Sequence, residues 1–311
     1  MSVALFTHPA CLDHLTPAGH AERVERLRAV LHALASPAFA ALDRRTAPPC
    51  PEAALLRAHP RAHLDRIAAA SPAQGWAMLD PDTFMSPGSA QAALHAAGAV
   101  VAAVDSVLTG QARRAFCAIR PPGHHAEATR PMGFCLYSNA AIGALHALEH
   151  HRLARVAVVD FDVHHGNGTQ DILWSDPRAM FISSQQMPLY PGTGAAEEIG
   201  AHGQILNLPL PPGAGGDAMR AAWGGTALPA LRAFAPELLI VSAGFDAHAD
   251  DPLANLEWHE DDFAWLTRAL CDLADEVCAG RVVSTLEGGY DLNALAACVA
   301  AHVGELMKGP A

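Results

Sequence analysis

Residues 156–169, VAVVDFDVHHGNGT, pass from a wholly apolar stretch directly into Asp160, Asp162, His164, His165 and Asn167. In an extended segment residues two apart point the same way. Asp162 and His164 therefore project together, as two ligands of one ion must. A carboxylate oxygen beside an imidazole nitrogen suits zinc or another borderline divalent ion. A helix cap followed by a surface histidine pair would leave the matching clusters elsewhere unexplained. Asp246, after LLIVSAGF, is the natural third ligand. Three protein ligands leave a position open for water and substrate, which is the catalytic zinc pattern. The string Asp246-Ala-His248-Ala-Asp250 leaves a second possibility open, with His248 and Asp250 serving another ion.

His124 and His125 follow Arg120-Pro121-Pro122-Gly123, a turn stiffened by two prolines. Adjacent imidazoles on such a loop suit acid–base work beside a metal-bound water. Each needs a partner to fix its tautomer, and Asp160 and Asn167 are the candidates. Tyr290 follows Gly288-Gly289, and its phenol could donate to a developing oxyanion. Phe134 and Tyr190 sit on two further loops and could wall a narrow channel, or simply pack in a core.

These residues must be positioned by the elements before them. Strands are expected at 2–6, 115–119, 155–160, 179–183, 204–208, 237–243 and 281–286. All are too apolar for a wet face, as in parallel strands covered on both sides. Between them, 22–35, 138–150 and 260–279 carry apolar residues at helical spacing. The alternation predicts a three-layer α/β domain. The chemistry-bearing segments follow five of the strands, and in open parallel sheets ligands bind at the strands' carboxyl ends. That convergence favours an enzyme over a scaffold.

The 311 residues are 51% hydrophobic, ample for one large domain or two smaller ones, and no linker or repeat divides them. A formal charge of −12 with no basic tract argues against nucleic acid as a direct partner. Seven cysteines without a CxxC read as a reducing compartment. No signal peptide is evident at the N-terminus. The uncharged run 86–104 contains Gln91 and His95 and reads as a buried helix rather than a membrane span. The expected location is cytoplasmic.

Taken in order, RPPGHHA, MGFC, VVDFDVHHGNGTQ, YPGTG, VSAGFDA…DDPL and LEGGYDL resemble the zinc-dependent histone deacetylase superfamily. The likeness runs from LTPAGHAERVERL (15–27) to the last helix. The EGGY and HHGNGTQ forms are closer to the class II branch and its bacterial amidohydrolase relatives. The resemblance implies an arginase-like fold with an eight-stranded parallel sheet, and one deacetylase domain over 1–311. It implies zinc on Asp162, His164 and Asp246, with Tyr290 polarising the acyl carbonyl. His125 would be the general base, and His124 its electrostatic partner, paired with Asp160. Gly133 would line the acyl-lysine slot through its carbonyl, between Phe134 and Tyr190. A potassium site would fall on Asp160, Asp162, His164, Ser183 and Ser184.

Leu253 holds the position where an acidic residue marks polyamine specialists, so leucine leans toward acyl-lysine peptides or proteins. Three departures bear on this. Asn167 replaces the class I aspartate. Gln185 stands where relatives often carry histidine, which predicts a different rim. HAERVERL replaces the usual HPER form. The competing readings are an acylated polyamine or other small acylamine as substrate, a binuclear manganese ureohydrolase, and a non-catalytic acyl-lysine reader. The ureohydrolase lacks a carboxylate at Gly166-Asn167. The reader predicts a missing ligand or tyrosine, and none is missing. The sequence leaves the oligomeric state open.

Overall fold

The computed structural model describes residues 3–309. Its strands are β1 (Val3–Thr7), β2 (Asp43–Thr46), β3 (Ala77–Asp80), β4 (Thr83–Met85), β5 (Arg114–Cys117), β6 (Val156–Asp160), β7 (Ala179–Gln186), β8 (Ile205–Leu210), β9 (Leu238–Ala243) and β10 (Val282–Leu286). Eight of them form one sheet in the order β2-β1-β5-β10-β9-β6-β7-β8. Every pairing in it is parallel. β3 and β4 make a separate antiparallel hairpin.

The central strands read as unbroken apolar runs because helices cover both faces. β5, β6, β7, β9 and β10 are buried at every residue. Helix Ser89–Leu108 is long and apolar enough to cross a membrane, yet it is mostly buried within the fold. Helix Glu260–Val277 buries Phe263, Leu266, Leu270 and Leu273 along one face. Its first turn holds Glu260, Asp261 and Asp262, and a capping box joins His259 to Asp262.

The apolar pattern located seven strands of the sheet to within a few residues at each end. Ser2, at the start of the first expected strand, lies outside the described residues. The eighth, β2, has the sequence Asp-Arg-Arg-Thr and alternates between half-buried and exposed. It is an edge strand, where charged residues prevent further pairing. The hairpin β3–β4 was equally absent from the apolar pattern, since its strands are only four and three residues long and mostly half-buried.

Candidate active site

The carboxyl ends of β5, β10, β9, β6 and β7, five consecutive strands, carry the site. Asp162 and His164 leave the end of β6, and Asp246 leaves the neighbouring β9. One ligand-type atom from each lies within 4.8 Å of the other two. His164 Nδ1 is 3.1 Å from both Asp162 Oδ1 and Asp246 Oδ2. The remaining carboxylate oxygens are tied down. Gly288 N–H donates to Asp162 Oδ2 at 2.8 Å, and Val163 N–H donates to Asp246 Oδ1 at 2.9 Å. Gly288 has no side chain for a physical reason: a Cβ there would stand 2.1 Å from Asp246 Oδ2 and 2.5 Å from Asp162 Oδ2.

The charge of this trio asks for a cation. Burial opposes a charged imidazole, yet Asp162 and Asp246 raise His164 to about 10. Two buried carboxylates and an imidazole converging on one point are a donor set that fits a divalent ion such as zinc.

His124 and His125 are packed with ring centroids 3.9 Å apart. Their environments push them in opposite directions. His124 Nδ1 lies 3.0 Å from Asp160 Oδ2. Burial works against its charge, but Asp162 and Asp160 carry its pKa well above the ordinary histidine range. His125 Nδ1 instead meets Asn167 Oδ1, at 2.8 Å. Burial, then the His124 and His164 charges, hold it well below that range. The two environments thus favour the charged form of His124 and the neutral form of His125.

Tyr290 is buried, and burial keeps its phenol protonated well above the ordinary range, with Arg26 partly opposing. A cavity of about 270 Å³ opens beside it. Its walls include Phe134, Leu189, Tyr190 and Leu253, with Gly133, His125, His164 and Tyr290 deeper in the lining and Asp82 also contributing. The Tyr190 ring stands edge-on to His125, with centroids 5.2 Å apart. Gly133 has φ +55°, and a Cβ there would strike the His125 ring at 2.4 Å.

Asp160 and Ser183 are register partners across β6 and β7. Ser183 Oγ is buried with no hydrogen-bond partner, whereas Ser184 Oγ accepts from Trp223 Nε1 at 3.0 Å.

Two other groups of ligand-type residues occur among the described residues. In the first, Arg57 donates to His146 Nδ1 at 3.1 Å, so His146 carries its proton on Nε2 and gives it to Asp105 at 2.7 Å. In the second, Asp250 N–H donates to His248 Nδ1 at 3.0 Å, so Nε2 again holds the proton. The Asp250 side chain is 77% exposed. In the DAHAD string the solvated Asp250 carboxylate comes no closer than 3.9 Å to His248, at Nδ1, the nitrogen already occupied by the Asp250 N–H.

The histone deacetylase domain matches residues 20–306 of the sequence. This chain belongs to that family. The deacetylase domain is 43% identical to the histone deacetylase-like amidohydrolase of Pseudomonas aeruginosa, over 93% of this chain and 77% of that protein. It is 46% identical to the chloroplastic histone deacetylase 14 of Arabidopsis thaliana, over 70% of this chain. There it spans about half of the relative's length, 53%. A crystal structure of the HDA15 HD domain superposes with a TM-score of 0.93 at 34% identity, covering 98% of this chain and 88% of that one. The family is one of amide hydrolases, and the eight-stranded fold is the deacetylase fold.

Several residues of this deacetylase domain that shape the site escaped the sequence reading. Glu287 carries the loop of Tyr290 and accepts from the N–H groups of Gly123 and His124 at 2.7 and 3.1 Å. Arg26 donates to the carbonyls of Glu287 and Gly289 and lies 4.8 Å from the centre of the Tyr290 ring. Glu22 bridges the buried Arg26 and Arg120. Glu22 and Arg26 lie within HAERVERL, so that departure contains a buried support of the site.

His165 turns away from the site, with Nδ1 2.8 Å from Thr193 Oγ1 and Nε2 3.0 Å from Gln170 Oε1. Gln185 is 1% exposed and donates to Gly194 O at 2.6 Å. From inside it braces the YPGTG turn, which carries Tyr190 of the cavity wall.

Proposed function

We propose that the chain is a zinc-dependent deacetylase acting on the ε-N-acyl group of lysine in peptides or proteins and releasing acetate. The observation that carries this reading is the apolar slot ending at His125, His164 and Tyr290. Its apolar walls suit a methylene chain, and its lining presents a candidate base in His125, a candidate metal ligand in His164 and a phenol in Tyr290.

Asp162, His164 and Asp246 would hold the ion, whose Lewis acidity would polarise the amide carbonyl and acidify the attacking water. His125, uncharged and with Nδ1 engaged by Asn167, takes the water's proton at Nε2 and later returns it to the leaving amine. Tyr290 donates its O–H to the developing oxyanion. His124, held charged against Asp160, stabilises the negative charge that accumulates nearby. Gly133 offers its carbonyl to the acyl-lysine amide, and Phe134, Tyr190 and Leu253 exclude water from the chain. Asp160, Asp162, His164, Ser183 and Ser184 are the proposed structural potassium ligands, with the unpaired Ser183 Oγ as support. Seven free, buried cysteines suit a cytoplasmic setting.

A small acylated polyamine is the second reading, favoured by the Asp82 carboxylate on the cavity wall. The ratio of kcat/KM for an acetyl-lysine peptide to that for an N-acetylated polyamine, measured on zinc-loaded protein, decides between them. A ratio well above one supports the acyl-lysine assignment. A ratio well below one overturns it.

A further inference from the structure

His125 is a base at Nε2 only while its proton sits on Nδ1. An aspartate facing Nδ1 would enforce this in either orientation, because both its oxygens accept. Asn167 does so only with its oxygen toward the ring. Turned over, its amide would present two N–H donors to Nδ1, and the proton would move to Nε2, where it blocks the base. Something at the far end of the amide must therefore choose its orientation.

That group is Glu127. Asn167 Nδ2 donates to Glu127 Oε1 at 2.9 Å and lies 3.4 Å from Met132 Sδ, a weaker acceptor. A carboxylate cannot donate in return, so it admits only the orientation that leaves Oδ1 for His125. Glu127 is half-buried and its own backbone is anchored, its N–H donating to Arg130 O at 3.0 Å. It is absent from the wall of the substrate cavity. It lines a separate groove of about 190 Å³ with Asn167, Gln170, Asp171, Trp174 and Thr193. Glu127 thus reaches the chemistry only through Asn167.

We propose that Glu127 is a positioning residue that fixes the Asn167 amide and, through it, the His125 tautomer. This inference rests on the reading of His125 as the base. The chain places a carboxylate one residue further out than a His–Asp pair would, and the intervening amide transmits its preference by hydrogen-bond polarity alone.

The polarity argument predicts a reversal of sign. In the native background, Glu127→Gln removes the obligate acceptor and lets the amide turn, so kcat falls by about tenfold with KM and metal content unchanged. In Asn167→Asp, a second carboxylate faces Glu127 and the two repel. There the same Glu127→Gln change supplies an N–H donor to the introduced carboxylate and raises kcat above that of the single variant.

The four proteins are assayed zinc-loaded on an acetyl-lysine peptide. The ¹⁵N shifts of the His125 imidazole, recorded on each protein, report the tautomer independently of turnover. The expected result is a clean Nδ1–H signature in the native protein and mixing toward Nε2–H in Glu127→Gln. An unchanged tautomer signal and native kcat in Glu127→Gln would overturn the proposal. So would an equal loss from that change in both backgrounds, which marks a purely structural role. His125→Ala is measured alongside: activity retained there sinks the base assignment itself, whereas an inactive His125→Ala with an unaffected Glu127→Gln sinks only the relay.

Discussion

Asp251 Oδ2 accepts the backbone N–H of Tyr290 at 2.6 Å, while its Oδ1 accepts that of Leu253 at 3.0 Å. One carboxylate thus spaces the phenol on the floor of the cavity from the leucine on its wall. Burial, then the Asp246 charge, raises Asp251 to about 7, so the group is held under strong electrostatic load. Asp251→Asn should place an N–H donor against the backbone N–H of Leu253 or against those of Tyr290 and Asp291. A lost hydrogen bond to a charged acceptor costs ~1.5–3 kcal/mol. We expect kcat/KM to fall by at least about tenfold with zinc content unchanged, as measured by steady-state kinetics and metal analysis on the same preparation. Native kinetics would show that the loop holds its shape without Asp251.

Tyr290→Phe removes the O–H and leaves the ring against Arg26. Loss of an oxyanion donor lowers turnover by roughly 10²-fold or more. The KM for an acetyl-lysine peptide should move little, because the donor matters only as charge develops. Turnover close to native would remove Tyr290 from that role.

Gly288→Ala tests whether the carboxylates are held for an ion. The new Cβ would stand 2.1 Å from Asp246 Oδ2, so the ligands must part. Disturbing the supports of metal ligands weakens affinity by about 10–100-fold. Competition with a chelator should show that loss for Gly288→Ala. Gly304→Ala, whose Cβ meets nothing within 4 Å, should retain native affinity and serves as the control. Equal affinity in the two variants would refute the assignment.

The site was legible where chemistry follows directly on an apolar strand. Asp162 and His164 stand two residues apart at the end of β6, and Tyr290 follows a glycine pair after β10. Each is therefore flagged by its own neighbourhood. The supporting residues have no such mark. Glu22 and Arg120 are 98 residues apart and meet only in the folded chain. Asp251 reads as one of several surface acids in DAHADD until the fold brings Tyr290 to it. Strand β2 was hidden for the opposite reason: at a sheet edge, charge is the stabilising choice, so the apolar signal vanishes where the sheet ends.

His302 supplies a pH dependence of stability. It is 1% exposed, with Nδ1 2.6 Å from Thr267 Oγ1 and Nε2 2.8 Å from Ser284 Oγ. Burial lowers its pKa from 6.5 to about 3. The folded value lies below the unfolded one, so the unfolded chain takes up the proton first as the pH falls. The contribution of His302 is therefore complete above about 6.5 and is lost progressively from there down to about 3. Within that window one such group removes ~1.4 kcal/mol of stability per pH unit. His59, also lowered to about 3 by burial and the His63 charge, acts in the same direction. Denaturant unfolding of the native protein between about pH 7 and about pH 4.5 should show this slope. His302→Gln, whose amide can still meet a hydroxyl without titrating, should lower stability at about pH 7 but flatten the slope by about one proton. Parallel pH profiles for the two proteins would mean that His302 does not carry the dependence.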